Sequence, residues 1–211
     1  MSVSLRLRAA FNRLRRWLWQ PVFFRMLFGE LGAGGAPLPA TRISPSTCIE
    51  HAEGLQLADD VFIGHFNYIE ASAGVAIGSG TQITNFVSIV SHSTHRSVRL
   101  AAALSGQGAA LHGADRLGDV RAPIAIGAHC FIGPHSTIEA GATLGRACLV
   151  QSHSRVRGTF GDFALIGGAP AQVLGDVREL DARWLAQHPE HRAVYDAWAQ
   201  MQPKQDGAGS T

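Results

Sequence analysis

The chain has little cysteine, and none of it is arranged for metal binding or for a disulfide framework. Its 211 residues include only Cys48, Cys130 and Cys148, with no CxxC pair, so neither a zinc knuckle nor a set of disulfides is expected. No uninterrupted apolar run reaches the roughly 18–20 residues of a membrane span. The N-terminal arginines do not precede a signal-peptide core with a small-residue cleavage site. These absences predict a cytoplasmic protein.

Acidic residues are absent from the first 28 residues, which contain six arginines. The net charge of the whole chain is only +2, so a basic arm precedes a mildly acidic body, and nucleic-acid binding by the whole domain is not expected. Residues 5–20 are predicted to form a helix with one apolar face, and Pro21 is expected to end or kink it. The apolar face is formed by Leu7, Phe11, Leu14 and Leu18. Two roles stay open: contact with an anionic membrane surface, or packing on the body or on a neighbouring subunit.

A six-residue period dominates the middle of the chain. From residue 126 the first positions of successive hexads are all branched aliphatics: Ile126, Ile132, Ile138, Leu144, Val150 and Val156. A period of six fits neither an amphipathic helix nor a single alternating strand, but it fits a solenoid in which each hexad is one short strand and one corner. Three hexads then make one turn of about 18 residues, with strands stacked at roughly 4.8 Å.

The other hexad positions have their own preferences. Fifth positions are mostly small, which predicts that they point inward near a corner, and buried structural thiols are expected at Cys130 and Cys148. Glycine at several second positions is expected to allow the backbone angles of a tight corner. Asn67 breaks the small-residue rule, which indicates either a hydrogen-bonded corner or a substrate contact.

The period also locates the parts that lie outside the coil. Earlier hexads begin at Ile43, and the rhythm stops near residue 93 and resumes at Pro123–Ile124. Residues 93–122 are therefore predicted to be a loop of about 30 residues, a length that is usually functional or disordered. Two short helices are expected after the coil. The predicted divisions are a basic helical arm at 1–35, the coil domain at 36–175, a helical cap at 176–202 and a disordered tail at 203–211.

This pattern resembles the hexapeptide-repeat acyltransferases, which implies an all-β, left-handed parallel β-helix. The resemblance covers roughly residues 43–175 and ends in a closing motif at 168–171, Gly-Ala-Pro-Ala. At the sequence IVSHSTHR it narrows to the maltose and galactoside acetyltransferase branch and to sugar O-acetyltransferases of surface-polysaccharide pathways. Those proteins carry a catalytic histidine at this junction, which implies His92 as the general base. They also form homotrimers whose sites are shared between subunits.

The resemblance implies further site residues. Asn67, Glu70 and His95 are expected to contact the sugar acceptor, with orientation of His92 as the alternative role of Glu70. Acetyl-CoA is the implied acyl donor, and its binding residues are expected to be Phe131, Gly133, Gly141, Ala142, Ser152, Arg155 and Arg157. The chain departs from the family where basic residues normally hold the CoA phosphates, at Gly158, Gln172 and Gly175.

Other classes remain open at this point. N-acetylation of an amino-sugar nucleotide is the alternative within the fold. A zinc hydratase resembling the γ-type carbonic anhydrases would need three histidines, for which His92, His129 and His135 are the candidates, although the usual His-Gly-Cys is Ala-Gly-Ala here at 140–142. His135 and His153 are 18 residues apart and should stack on adjacent turns. A structural coil without catalysis is the third class.

Overall fold

The structure is a computed structural model that describes residues 3–103 and 117–200. The predicted tail at 203–211 and the centre of the predicted loop, residues 104–116, lie outside the described residues. The described chain is a mainly β parallel solenoid of about six turns, with an N-terminal helix and short C-terminal helices. The fold class predicted from the six-residue period is therefore confirmed.

Short strands make up most of the chain, and four helices flank or interrupt them. In chain order the elements are α1 (Val3–Phe23), β1 (Leu27–Leu31), β2 (Pro37–Ile43), β3 (Cys48–Glu50), β4 (Leu55–Leu57), β5 (Phe62–Ile63), β6 (Tyr68–Glu70), β7 (Val75–Ile77), β8 (Gln82–Ile83), β9 (Ser88–Val90), β10 (His92–Ser93), α2 (Ser97–Ala103), β11 (Val120–Arg121), β12 (Ile124–Ile126), β13 (Phe131–Ile132), β14 (Thr137–Glu139), β15 (Thr143–Leu144), β16 (Leu149–Val150), β17 (Arg155–Val156), β18 (Thr159–Phe160), β19 (Ala164–Gly168), β20 (Ala171–Asp176), α3 (Val177–Leu185) and α4 (Arg192–Gln200). Single 3₁₀ turns lie at Ala52–Gly54 and Pro189–His191.

Three sheets form the sides of the coil. The first has the order β1-β2-β5-β8-β13-β16-β19-β20, the second β17-β14-β9-β6-β3, and the third β18-β15-β12-β7-β4. Within the coil all pairings are parallel, whereas β1 on β2 and β20 on β19 are antiparallel. These two antiparallel strands cover the ends of the first sheet, where exposed edges would otherwise invite pairing with another chain.

The core consists of columns of aliphatic side chains, one from each turn. In the first sheet the register places Ile63, Ile83, Ile132, Val150 and Ile166 above one another, and all are fully buried. The small fifth-position residues are buried as well, among them both predicted thiols. The inward assignment of the first and fifth hexad positions is confirmed.

The role expected for the second-position glycines was wrong. Gly127 has no positive φ, but a Cβ atom there would lie 2.6 Å from the carbonyl carbon of Gly145 on the next coil. The glycine is required because two backbones approach closely. The left-handed corners belong to fourth positions, such as His129 and His135, with φ of 57° and 60°.

The N-terminal helix runs further than predicted. It continues past Pro21 to Phe23, because proline removes only its own hydrogen-bond donor. The turn beyond it is closed by the Phe24 amide, which donates to the Gln20 carbonyl at 2.9 Å. Within residues 3–103 and 117–200, no helix combines the length and the hydropathy needed to cross a bilayer.

The predicted loop leaves and re-enters the coil at one corner. Its ends form a two-stranded antiparallel pair, with His92 opposite Arg121 and Ser93 opposite Val120, and α2 follows the first of these strands. At the C-terminus, α4 is held against the coil by Arg146. Its guanidinium donates to the backbone carbonyls of Trp198 and Ala199 and lies over the ring of Phe163.

Candidate active site

His92 lies at the corner where the second sheet ends and the loop begins. Strand β9 ends at Val90, and Ser91 turns inward and is fully buried. His92 then starts the short strand β10, and its side chain is one-third exposed. The local sequence therefore fixes the histidine between a packed coil on one side and solvent on the other.

Glu70 approaches His92 from the preceding coil. It ends strand β6, in register with Val90, and is only 1% exposed. Its Oε2 atom lies 2.7 Å from Nδ1 of His92, although the ring N–H does not point straight at the oxygen. Oε2 also accepts a hydrogen bond from the Ser91 hydroxyl at 2.9 Å, and Oε1 accepts one from the Ser72 amide at 2.9 Å.

These donors keep the carboxylate ionised. Burial alone would raise the pKa of Glu70, but the hydrogen bonds from Ser72, His92 and Ser91 outweigh it and lower the pKa to about 2. A carboxylate that is ionised at neutral pH favours a proton on the nearby Nδ1 of the imidazole. Nε2 of His92 is then left with its lone pair, so it can accept a proton from another molecule.

A cavity of about 270 Å³ opens beside His92. Its walls come from the end of the second sheet, from both strands of the loop and from the next two coils. The lining residues are Val90, His92, Ser93, His95, Arg96, Val120, Thr137, Glu139, Ala140 and Arg157. It is a mixed polar and basic space next to a partly exposed imidazole.

Three of the expected site residues meet at this cavity or directly behind it. His92 and His95 line it, and Nδ1 of His95 lies 2.8 Å from the Ser93 hydroxyl. Arg157 lines it from the opposite wall. Glu70 lies behind His92 and is buried, so of the two roles open for it, the structure favours orienting His92 over binding a sugar hydroxyl.

Asn67 does not reach the cavity. Its side chain is 2% exposed and faces the interior of the coil. The amide donates to the carbonyls of Gly64 and Thr84, at 3.0 and 2.7 Å, and its oxygen accepts from the Val87 amide at 2.7 Å. Both ends of the amide are occupied by backbone groups. The hydrogen-bonded corner is therefore the explanation of its polarity that the structure supports.

The residues expected to bind the donor fall into two groups. Gly141 and the buried Ala142 lie at the same corner as His92, next to the cavity residue Ala140. Arg155 extends from the second sheet, with Nε 3.8 Å from the Glu139 carboxylate in the cavity wall. The remaining expected donor residues, Phe131, Gly133 and Ser152, belong to the first sheet or to the corner that follows it. Within one chain the two groups do not form a single cluster around His92.

The histidines considered for zinc lie at three different corners of the coil. His92 follows the second sheet, His129 precedes β13 of the first sheet, and His135 follows that strand. Among residues 3–103 and 117–200, no three His, Cys, Asp or Glu side chains come together as a metal site.

The predicted stacking of His135 on His153 is present. Their ring centroids are 4.9 Å apart and the planes differ by 4°. The stack extends through Phe86 and Phe66, with centroid distances of 4.9 and 5.1 Å. All four rings stand at the fourth hexad position with φ between 58° and 61°. We call these four residues the ring ladder.

Sequence reasoning missed several residues of the site. Ser91 and Ser72 supply donors to Glu70, and Arg96 and Glu139 line the cavity. A usable signal existed for Ser91, because a polar residue that precedes a corner histidine at a buried position needs a polar partner. For Arg96 no period existed, since it lies in the segment outside the coil.

The site and the fold define a class: a parallel β-solenoid in which a buried carboxylate contacts a partly exposed histidine at the mouth of an inserted loop. No protein-family model matches the chain. A probable acetyltransferase from Mycobacterium tuberculosis is 26% identical over 159 residues, which make up 75% of this chain and 48% of that protein. The chain thus spans about half the length of the curated relative that it matches.

Solved structures with this fold are acyltransferases of the hexapeptide-repeat type. A hexapeptide-repeat acetyltransferase from Vibrio cholerae, complexed with acetyl-CoA, aligns with a TM-score of 0.55 at 20% identity, over 78% of this chain and 77% of its own. A galactoside acetyltransferase complexed with coenzyme A gives 0.51 at 19% identity, over 68% of each chain. AntD, an N-acyltransferase from Bacillus cereus complexed with dTDP and coenzyme A, gives 0.51 at 16% identity, over 70% and 88%. The resemblance to hexapeptide-repeat proteins is confirmed at the level of the fold.

Proposed function

We propose that the chain is an acetyl-CoA-dependent O-acetyltransferase that acts on a sugar hydroxyl, with His92 as general base. One observation carries the proposal: a buried, ionised carboxylate lies 2.7 Å from Nδ1 of an imidazole whose side chain is one-third exposed beside a cavity. The galactoside acetyltransferase and the Vibrio cholerae enzyme, which share the fold and bind coenzyme A or acetyl-CoA, support the choice of donor.

The reaction would be direct transfer. Nε2 of His92 takes the proton of the acceptor hydroxyl while the hydroxyl oxygen attacks the thioester carbonyl of acetyl-CoA. The tetrahedral intermediate collapses with cleavage of the C–S bond, and the imidazolium returns its proton to the departing CoA sulfur. Glu70 stabilises the imidazolium during this cycle and keeps the ring oriented. It acts through His92 and is a positioning residue.

The cavity would bind the reacting ends of both substrates. His95 is the acceptor contact that the structure keeps in place, and Arg96 adds a donor on the same side. Arg157 is placed to contact an anionic part of either substrate. Because Asn67 is occupied by the backbone, we do not include it among the acceptor contacts.

We also propose a homotrimer with sites shared between subunits. The expected donor residues of one chain lie at two different corners, with Phe131 and Ser152 at one and Gly141 at the other. Two neighbouring coils that contribute different corners would surround a single acetyl-CoA molecule more completely than one coil alone. A cytoplasmic role in the synthesis of O-antigen, capsule or exopolysaccharide is the biological context that we propose.

N-acetylation of an amino-sugar nucleotide is the second candidate. It is favoured by the similarity in fold to AntD, which is an N-acyltransferase complexed with dTDP. An amine acceptor would use the same base, since the attacking nitrogen must also lose a proton. The two candidates differ in the acceptor alone, so one assay can compare them.

The test is thiol release from acetyl-CoA with a panel of sugars, amino sugars and nucleotide-linked sugars. Replacing His92→Ala should lower turnover by roughly 10²- to 10⁴-fold, which is the range of general-base contributions. His51→Ala is the matched control, because His51 is an exposed histidine at the equivalent corner of the first coil, and its turnover should be unchanged. Equal turnover in the His92 variant, or no transfer to any hydroxyl or amine, would refute the proposal.

A further inference from the structure

The N-terminal helix α1 carries an apolar face with no cover. Its 21 residues correspond to a length of about 31 Å. Four large apolar residues of this face, Leu7, Phe11, Leu14 and Leu18, are between 51% and 67% exposed, and Val22 continues the row at 59%. An apolar surface of this extent on an exposed helix normally has a partner.

Arginines flank this face on both sides. At 100° per residue, Arg8 and Arg15 lie along one edge of the apolar row, and Arg6 and Arg13 lie along the other side of the helix. The first acidic residue of the whole chain is Glu30. Every formal charge on the helix side chains is therefore positive.

The charge pattern discriminates between two occupants of the apolar face. If the helices of several copies packed together through it, Arg8 and Arg15 would border the contact, and no acidic side chain of the helix could pair with them. Like charges along such a seam oppose association. An anionic lipid surface instead binds the apolar face and neutralises the arginines at its edges.

Aromatic residues at the end of the helix fit the same surface. Trp17 and Trp19 are 68% and 51% exposed, and tryptophan prefers the boundary between headgroups and acyl chains. Beyond the helix, Phe28 and Leu31 of strand β1 are also exposed. The apolar surface thus continues from the helix onto the first strand of the coil.

We propose that α1 is a docking arm that lies in the plane of an anionic phospholipid membrane, with its apolar face toward the acyl chains. The proposal does not depend on the acyltransferase function and would place any activity of the coil at a membrane surface. It commits to lipid as the partner, and association with a second copy is an outcome of the test.

The experiment uses the full chain and sedimentation with vesicles. Vesicles of phosphatidylcholine that also contain phosphatidylglycerol should bind the protein, and vesicles of phosphatidylcholine alone should bind it far less. Binding should weaken with added salt, because the charge contribution is screened. Equal binding to both vesicles, or no binding to the anionic ones, would overturn the proposal.

Two variants separate the charge from the apolar face. Arg8→Gln with Arg15→Gln should lower the partition coefficient about 20- to 30-fold, at about fivefold per arginine. Arg8→Lys with Arg15→Lys should restore it. Leu14→Glu with Leu18→Glu should abolish binding, and circular dichroism of each variant checks that the fold is retained.

The controls address net charge and self-association. Arg99→Gln with Arg183→Gln removes the same charge from exposed positions outside the arm and should leave vesicle binding nearly unchanged. Sedimentation velocity without lipid gives the mass of the assembly for the native chain and for the Leu14→Glu, Leu18→Glu variant. If that variant forms a smaller assembly, the face is an interface between copies and the lipid proposal is wrong.

Discussion

The contact between Glu70 and His92 predicts a stability that depends on pH in a defined direction. Replacing Glu70→Gln keeps the size of the side chain and removes its charge. The pKa of Glu70 falls from 4.5 to about 2 on folding. Each pKa unit corresponds to 1.36 kcal/mol, so ionisation of this group contributes up to about 3 kcal/mol to the free energy of unfolding at neutral pH.

The sign follows from the lowered pKa. The contribution is complete above the unfolded value of 4.5 and is lost as the pH falls from 4.5 toward 2. The native chain should therefore exceed the Glu70→Gln variant in stability by up to about 3 kcal/mol at about pH 7, and the difference should shrink greatly at about pH 3. Part of the loss is avoided because the glutamine oxygen still accepts the hydrogen bond from the Ser72 amide.

Urea unfolding followed by circular dichroism measures both values. Glu50→Gln is the matched control, since Glu50 lies in register with Glu70 on the previous coil but is exposed. Its stability should change by no more than about 0.5 kcal/mol. A difference for Glu70→Gln that is the same at both pH values would show that the buried carboxylate is not held ionised, and the reasoning about Nε2 of His92 would fail with it.

Two further predictions concern the coil itself. Arg146→Ala should destabilise the protein by about 1–3 kcal/mol and shift the fluorescence of Trp198 to the red, because the C-terminal helix loses its guanidinium contact; Arg183→Ala, an exposed arginine, should do neither. Gly127→Ala should cost about 1–3 kcal/mol in thermal or urea unfolding, whereas Gly161→Ala should be tolerated, because its Cβ would meet nothing within 4 Å. Similar losses for the two glycine variants would contradict the close-approach explanation.

The coil could be predicted from the sequence because its period translates directly into direction. Once every sixth residue points inward, the burial of Ile132 or Val150 follows without any knowledge of distant contacts. Asn67 shows the limit of that logic. A polar residue at an inward position fits a backbone-bonding role and a substrate role equally well, and only its three hydrogen bonds distinguish them.

The site was predictable where it depends on the stacking of coils. His92 and Glu70 stand at the same corner of neighbouring coils, so the period brings them together. Arg96 and Val120 belong to the excursion between coils, which has no period, and their place in the cavity could not be derived. The ring ladder was half predicted, since the 18-residue spacing identified its histidines, whereas Phe86 is separated from His135 by the excursion.

The antiparallel pair at the mouth of the excursion has a consequence for how the protein can change. His92 and Ser93 pair with Arg121 and Val120, so the two ends of the excursion are held together whatever lies between them. Doubling the length of such a segment costs only about 0.6 kcal/mol of closure entropy. Sequence can therefore be inserted, deleted or exchanged in the excursion while the coil keeps the imidazole and its carboxylate in place. Selectivity for an acceptor could diverge among relatives independently of the reaction chemistry.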